Sequence, residues 1–209
     1  EYFIANPPDV FIGIDAPDFN LPLAKMLKKE GIKTVHYVCP SVWAWREKRV
    51  EIIKQSVDTM LCLLPFEVDF CNKHSLNAKF VGHTLADKIP LEKQTKIARK
   101  KLGVDESVSA LCMMPGSRQS EIKRMAPLFI ESINLIHNEI ENLYVIIPVA
   151  NERRKLQLVE YLKDANFEYQ IIYQNSIDAL SASNVALITS GTAALESMLC
   201  KTPMVVSYK

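Results

Sequence analysis

Short apolar runs alternate with stretches of helical periodicity along the whole 209-residue chain. Val10–Ile14, Thr34–Val38, Met60–Leu64 and Lys79–Val81 are brief, apolar and bounded by turn residues, the signature of buried strands. Between them Leu21–Glu30, Arg46–Gln55 and Glu67–Lys73 carry helical spacing, and Gly31 occupies the position that closes the first helix. Periodicity lapses over residues 86–92, which predicts a domain boundary there. The alternation then resumes with a helix over Lys93–Leu102, stopped by Gly103, and a strand over Leu111–Met114. Pro127 would break a helix from inside but is welcome at its first position. That predicts a short turn over Gln119–Met125 and a helix over Pro127–Ile140. Strands at Leu143–Val149, Tyr169–Tyr173, Val185–Ile188 and Met204–Ser207 follow, with helices at Glu152–Ala165, Asp178–Ala182 and Gly191–Cys200.

Strict β/α alternation implies parallel sheets covered on both faces. The expected fold class is therefore α/β, with two Rossmann-like lobes, residues 1–88 and 89–209, facing a cleft.

Composition narrows the partners. With 48% hydrophobic and 23% charged residues the chain is of the core-forming, globular kind. A net charge of +1 gives no electrostatic case for nucleic acid. The five cysteines are widely spaced, without a C-x-x-C pair, which favours a reducing, cytoplasmic compartment and argues against a metal site. His36, His74 and His137 likewise lack metal-ligand spacing. No apolar run approaches the roughly 20 residues that span a bilayer. The chain opens on Glu1 and ends in a strand-like run, and is expected to be an internal piece of a longer protein.

Three stretches could carry chemistry. After the strand at Leu111, Pro115-Gly116-Ser117-Arg118 forms a turn in which Gly116 would admit backbone N–H groups close to an anion. Arg118 adds a planar fork suited to phosphate. After Val185–Ile188, Thr189 or Ser190 is a candidate N-cap, and the free amides of Gly191, Thr192 and Ala193 make an anion pocket at a helix start. Glu196, one turn beyond Thr192, could hold a pair of ribose hydroxyls. After the first strand, Asp15 is expected to be partly buried at the strand's carboxyl edge as a general base, with Asp18 or Asn20 capping the next helix. Beside these, Trp43 and Trp45 adjoin Arg46, Lys48 and Arg49, either as packed core aromatics or as an anionic-membrane contact.

Gly13-Ile-Asp-Ala-Pro-Asp-Phe-Asn20, Pro40-Ser-Val-Trp-Ala-Trp-Arg46, Leu64-Pro-Phe-Glu67, Val81-Gly-His83, Pro115-Gly-Ser-Arg118 and Ser190-Gly-Thr-Ala-Ala-Leu-Glu196 together closely resemble the lipid-A-disaccharide synthase family, in that family's order. The resemblance implies the two-lobed glycosyltransferase B fold and a metal-free reaction without cofactor. In it UDP-2,3-diacylglucosamine is joined to 2,3-diacylglucosamine 1-phosphate by a β-1′,6 linkage, with release of UDP. It implies that Gly116, Ser117, Arg118, Ser190, Gly191, Thr192 and Glu196 hold UDP, with Asp15 and Arg118 catalytic. Asp18, Trp43, Trp45, Arg46, Phe66 and His83 then fall on the acceptor or membrane side. A homodimer and peripheral contact with the cytoplasmic face of the inner membrane are further expectations. The family's glycine-rich G-E-A-S-G-D opening and its C-terminal helices are absent from the chain. A UDP-sugar 2-epimerase and a non-catalytic nucleotide-binding module are the alternatives.

Overall fold

The computed structural model describes residues 2–45 and 47–209, so Arg46 lies outside the described residues. The chain divides into two compact units, Glu1–Thr84 and Leu85–Lys209. The division falls ahead of the stretch where periodicity lapses, because Leu85 and Ile89 already pack into the second unit's core.

The first unit holds strands β1 (Val10–Ile14), β2 (Lys33–Tyr37), β3 (Thr59–Cys62) and β4 (Ala78–Phe80) in one sheet of order β1-β2-β3-β4. All its pairings are parallel. Its helices are α1 (Tyr2–Ala5), α2 (Pro17–Lys29), α3 (Val42–Trp45), α4 (Val50–Ser56) and α5 (Pro65–Lys73), with a 3-10 turn at Glu47–Arg49. Helix α2 starts four residues ahead of the expected Leu21. Pro17 presets its first turn, and Asp15 and Ala16 turn the chain through left-handed φ values of 49° and 39° just before it. Neither Asp18 nor Asn20 caps the helix. Instead the Asn20 amide lies inside it and donates back to the carbonyls of Ile14 (3.1 Å) and Asp15 (2.8 Å), holding the β1–α2 turn.

The second unit contains α6 (Thr84–Lys88), α7 (Thr95–Leu102), β5 (Ser109–Met114), α8 (Gln119–Glu139) and β6 (Leu143–Val149). These are followed by α9 (Glu152–Leu162), β7 (Glu168–Tyr173), α10 (Ser176–Ala182), β8 (Val185–Thr189), α11 (Thr192–Leu199) and β9 (Met204–Ser207). The sheet is parallel, of order β7-β6-β5-β8-β9. Alternate residues of β5 face opposite ways, as the two-residue period of a strand requires. Leu111 and Met113 join the core under α8 and α9, while Ala110 and Cys112 join the one under α10 and α11. Buried Arg99 links the second of these layers: its guanidinium donates to the carbonyls of Ala182, Asp105 and Glu106 and to the Asn184 side chain, all within 3.1 Å.

Full coverage of both sheet faces holds for the inner strands and not for the edges. β1 leaves Ile12 and Ile14 exposed, and β9 leaves Val205 and Val206 exposed. The expected turn before Pro127 is also absent: α8 runs unbroken through it. Pro127 points to solvent, so water can satisfy the carbonyl that loses its partner, while buried Ile122, Met125, Ala126, Phe129, Ile130 and Ile133 hold the rest of the helix down.

His36 in β2 is fully buried, and neither ring nitrogen has a hydrogen-bond partner among the described residues. A Cβ on neighbouring Gly13 would come within 3.0 Å of its Nδ1, so the ring occupies space only glycine leaves open. Burial pushes the imidazole pKa below its ordinary 6.5, outweighing the pull of the Asp15 charge. An unfolded histidine protonates near 6.5 while the native one resists, so this contribution to stability is present above that pH and declines as pH falls below it. In His36→Leu the loss of thermal stability between pH 7.5 and 5.5 should be visibly smaller than in the parent. Coincident pH slopes in the two proteins would remove His36 from this account.

Candidate functional site

The second sheet changes direction at β5. From there β6 and β7 extend to one side, β8 and β9 to the other. In parallel sheets a crevice opens at the carboxyl ends of the strands flanking such a switch. Here those strands are β5 and β8, paired through Leu111↔Val185 to Met114↔Ile188. The loops that leave them, Pro115–Arg118 and Ser190–Gly191, therefore emerge side by side although about 70 residues separate them in sequence. Between them lies a cavity of about 540 Å³, within the range of small-molecule sites. Gly116, Ser117 and Arg118 line one side, and Ser190, Gly191, Thr192 and Glu196 the other.

The first loop differs from an open anion cradle. Its amides are already engaged: Ser117 N–H (2.9 Å) and Arg118 N–H (3.0 Å) both donate to Glu121 Oε2 at the start of α8. Arg118 donates through one terminal nitrogen to Glu121 Oε1 at 2.8 Å, its side chain otherwise largely exposed. The Arg118 amide first, then that of Ser117 and the guanidinium, hold the Glu121 carboxyl below its ordinary pKa against the effect of burial. The anion seated on these amides is thus the protein's own carboxylate. What Arg118 can offer a ligand is the remaining edge of its fork. Glu121 was missed in sequence, although an acid three residues after a turn, opening a helix, is a capping-box signal. Gly116 is required for this arrangement: at φ +116° a Cβ would lie 2.4 Å from Glu121 Cβ.

The second loop is the open one. Neither Thr189 nor Ser190 caps α11; its N-cap is Gly191, and no side chain fills that end among the described residues. The first amides of α11 and its dipole therefore face the cavity with no protein anion on them. The buried Thr189 hydroxyl, also in the cavity wall, has no partner among the described residues. Glu196 and Thr192 line the cavity together, as their four-residue spacing predicts. Sequence reading passed over further walls, Pro148–Ala150 at the end of β6 and Gln174–Ser176 after β7. The left-handed φ of 47° at Gln174 and the Asn175 cap of α10 shape the latter turn.

The first unit's candidate residues all follow carboxyl ends of its parallel strands. Asp15 follows β1, Trp43 follows β2, Phe66 follows β3 and His83 follows β4. Asp15 is exposed rather than partly buried. The Asp18 carboxylate is paired with Arg49. Trp43 and Trp45 are not core residues: they are 41% and 69% exposed, and Trp43 stacks edge-on against Phe66 at 4.8 Å. His83 is half-buried in the segment after β4. Glu67 is buried, accepting the amides of Leu63 and Leu64 at the start of α5, and burial raises its pKa. The cysteines are not isolated as their spacing suggested. Cys39, Cys62 and Cys71 lie with their sulfurs within 4.8 Å of one another, because parallel pairing and the return of α5 close distances that sequence keeps open.

Gly116→Ala should lower the stability of the second unit by about 1–3 kcal/mol through backbone strain and steric overlap. It should also displace Glu121 from the loop amides, which would appear in amide hydrogen exchange as faster exchange at Ser117 and Arg118. Parent-like exchange there would show that the loop does not depend on this glycine.

The family model described as lipid-A-disaccharide synthetase matches residues 1–209. The lipid-A-disaccharide synthase of Idiomarina loihiensis is 49% identical over 210 residues, covering 100% of this chain and 55% of that protein. That of Alteromonas mediterranea is 46% identical over 212 residues, covering 99% of this chain and 56% of that protein. The chain spans about half the length of the curated relatives it matches. Among solved structures, Staphylococcus aureus MnaA with UDP superposes with a TM-score of 0.66 at 11% identity, over 100% of this chain and 60% of that one. Acinetobacter baumannii MurG gives a TM-score of 0.53 at 12% identity, over 100% and 55%. These distant likenesses bear out the two-sheet α/β fold, of the glycosyltransferase B type, and carry no more than the fold. With the family model covering every position and close relatives at nearly half identity, the chain belongs to the lipid-A-disaccharide synthase family.

Proposed function

We propose that the protein bearing this chain is an inverting glycosyltransferase of lipid A synthesis, which joins UDP-2,3-diacylglucosamine to 2,3-diacylglucosamine 1-phosphate through a β-1′,6 linkage. The observation that carries the reading is the convergence of Arg118, the open end of α11 and Glu196 on one cavity in a chain of this family. The second unit is the UDP-sugar side. The diphosphate sits on the amides of Gly191, Thr192 and Ala193 and takes the free edge of the Arg118 guanidinium. Glu196 accepts from the ribose hydroxyls. The walls at Pro148–Ala150 and Gln174–Ser176 offer the apolar faces and amide groups that a planar base requires. The co-structure of the fold neighbour MnaA with UDP is in keeping with this assignment.

Chemistry follows from charge. An α-linked donor and a β product imply one direct displacement at the anomeric carbon. Negative charge grows on the departing diphosphate, where the guanidinium and oriented amides stabilise it without a metal. Glu121 matters here as a positioning residue, because its carboxylate fixes the guanidinium before any ligand arrives. On the first unit, Asp15 takes the proton from the acceptor's 6-hydroxyl; its exposure leaves the carboxylate accessible. Exposed Trp43, Trp45 and Phe66, with Lys48 alongside, suit the acyl chains of these substrates and peripheral docking at a membrane surface. Among the described residues no helix is long and apolar enough to cross a membrane. The epimerase alternative shares the fold and lacks the family match.

In the full-length protein Arg118→Lys should lower kcat by about 10²–10³, the usual loss when one group stabilising developing charge is removed. Near-parent turnover would take Arg118 out of the mechanism. Asp15→Asn should abolish disaccharide formation while UDP affinity, read by calorimetry, stays within about twofold of the parent. An Asp15→Asn enzyme that still turns over normally would reassign the base.

A further inference from the structure

The first unit contains a second constellation, separate from the nucleotide cavity and unused by the chemistry above. Cys39 follows β2, Cys62 ends β3, and Cys71 lies in α5. Strands β2 and β3 are parallel neighbours in register at Tyr37↔Leu61, so the first two sulfurs leave the same sheet edge. Val38, at a left-handed φ of 78°, bends the chain as β2 ends and keeps Cys39 over the sheet. Helix α5 runs back from β3 and buries Cys71 against both. All three are at most 5% exposed, and their sulfurs lie within 4.8 Å of one another.

We propose that Cys39, Cys62 and Cys71 form a three-thiolate site for a thiophilic divalent cation of the zinc type. A zinc–sulfur bond of about 2.3 Å sets sulfurs roughly 3.8–4.0 Å apart around one ion. The cluster therefore needs a contraction of at most about 1 Å to close on it. Three protein ligands match the count of open zinc sites, which leave one position to water or another oxygen.

Charge makes the same case. The Cys39 S–H donates to the Pro40 carbonyl at 3.6 Å, and the Cys62 and Cys71 sulfurs lie beside it in the core. A divalent cation entering as three sulfur–metal bonds form displaces the thiol protons to solvent. Three thiolates and one dication carry a single net negative charge, far less than three bare thiolates would bury. The other titratable groups acting on the cluster are Glu67, whose carboxylate disfavours further negative charge, and His74, which is paired with Glu47. Cys112 and Cys200, buried in the other unit, belong to no three-ligand group among the described residues and serve as internal controls.

The test uses the full-length protein, reduced and stripped of metal, titrated with Cd(II) for its thiolate charge-transfer absorption and with Zn(II) in competition against a chelator. One equivalent should bind with the absorbance of three thiolates. Because the ligand is the thiolate, binding releases protons and apparent affinity should rise with pH. A Cys112→Ser, Cys200→Ser double variant should behave as the parent. Cys62→Ser should lose the three-thiolate band and at least about tenfold in affinity. Absence of a stoichiometric band in the parent protein overturns the proposal whether or not any variant folds. So do fewer than three thiolates per ion, or an unchanged band in Cys62→Ser.

Discussion

The hydrogen-bonded pairing of β5 with β8 is the constraint on which the candidate site depends. Each strand delivers a loop of small and polar residues at its carboxyl end. Neither loop alone surrounds a ligand. Pairing in register at Met114↔Ile188 places them side by side, and the reversal of strand order keeps any neighbouring strand from covering the crevice. The sheet is held in this order from both faces, by α8 and α9 on one side and α7, α10 and α11 on the other. Packed layers therefore support the loops that carry the site, the arrangement expected where loops carry function.

The two loops solve their electrostatics differently. At Pro115–Arg118 the protein supplies its own anion, and Glu121 satisfies two amides and one edge of the guanidinium. This spares the loop unpaired donors and fixes Arg118 in direction. At Ser190–Thr192 nothing in the chain takes that place among the described residues, and the helix end faces the cavity directly. A ligand with two phosphates can use the second loop's amides and the first loop's side chain together. One helix end kept for the protein and one left for the ligand is a division of labour that the sequence motifs, similar in composition, do not disclose.

The first unit follows the same topological rule with different contents. Its strand ends gather Asp15, the aromatic pair Trp43 and Phe66, buried Glu67 and three cysteines, all placed by four parallel strands in simple order. Exposed aromatics beside a buried sulfur cluster suggest that the core beneath holds the loops above it. The return of α5 onto the sheet brings Phe66 and Cys71 to opposite environments from a single helix, one solvent-facing and one buried.

Much of this was legible in the chain itself. Apolar runs and helical spacing located every strand of both sheets, because burial in a parallel sheet imposes a continuous hydrophobic run on local sequence. The motifs Pro115–Arg118 and Ser190–Glu196 named seven residues, and all seven line one cavity. Where local sequence was a poor guide, a long-range term decided. Pro127 sits within α8 because solvent covers its side and a core holds the other; Asn20 ties a turn rather than capping a helix; Glu121 fills amides that Gly116 had suggested were free. Periodicity reports which residues are buried. It carries no information on which strand lies beside which, and hence none on Cys39, Cys62 and Cys71 meeting at one point. Strand order is settled by packing across the sheet, and only the folded chain contains it.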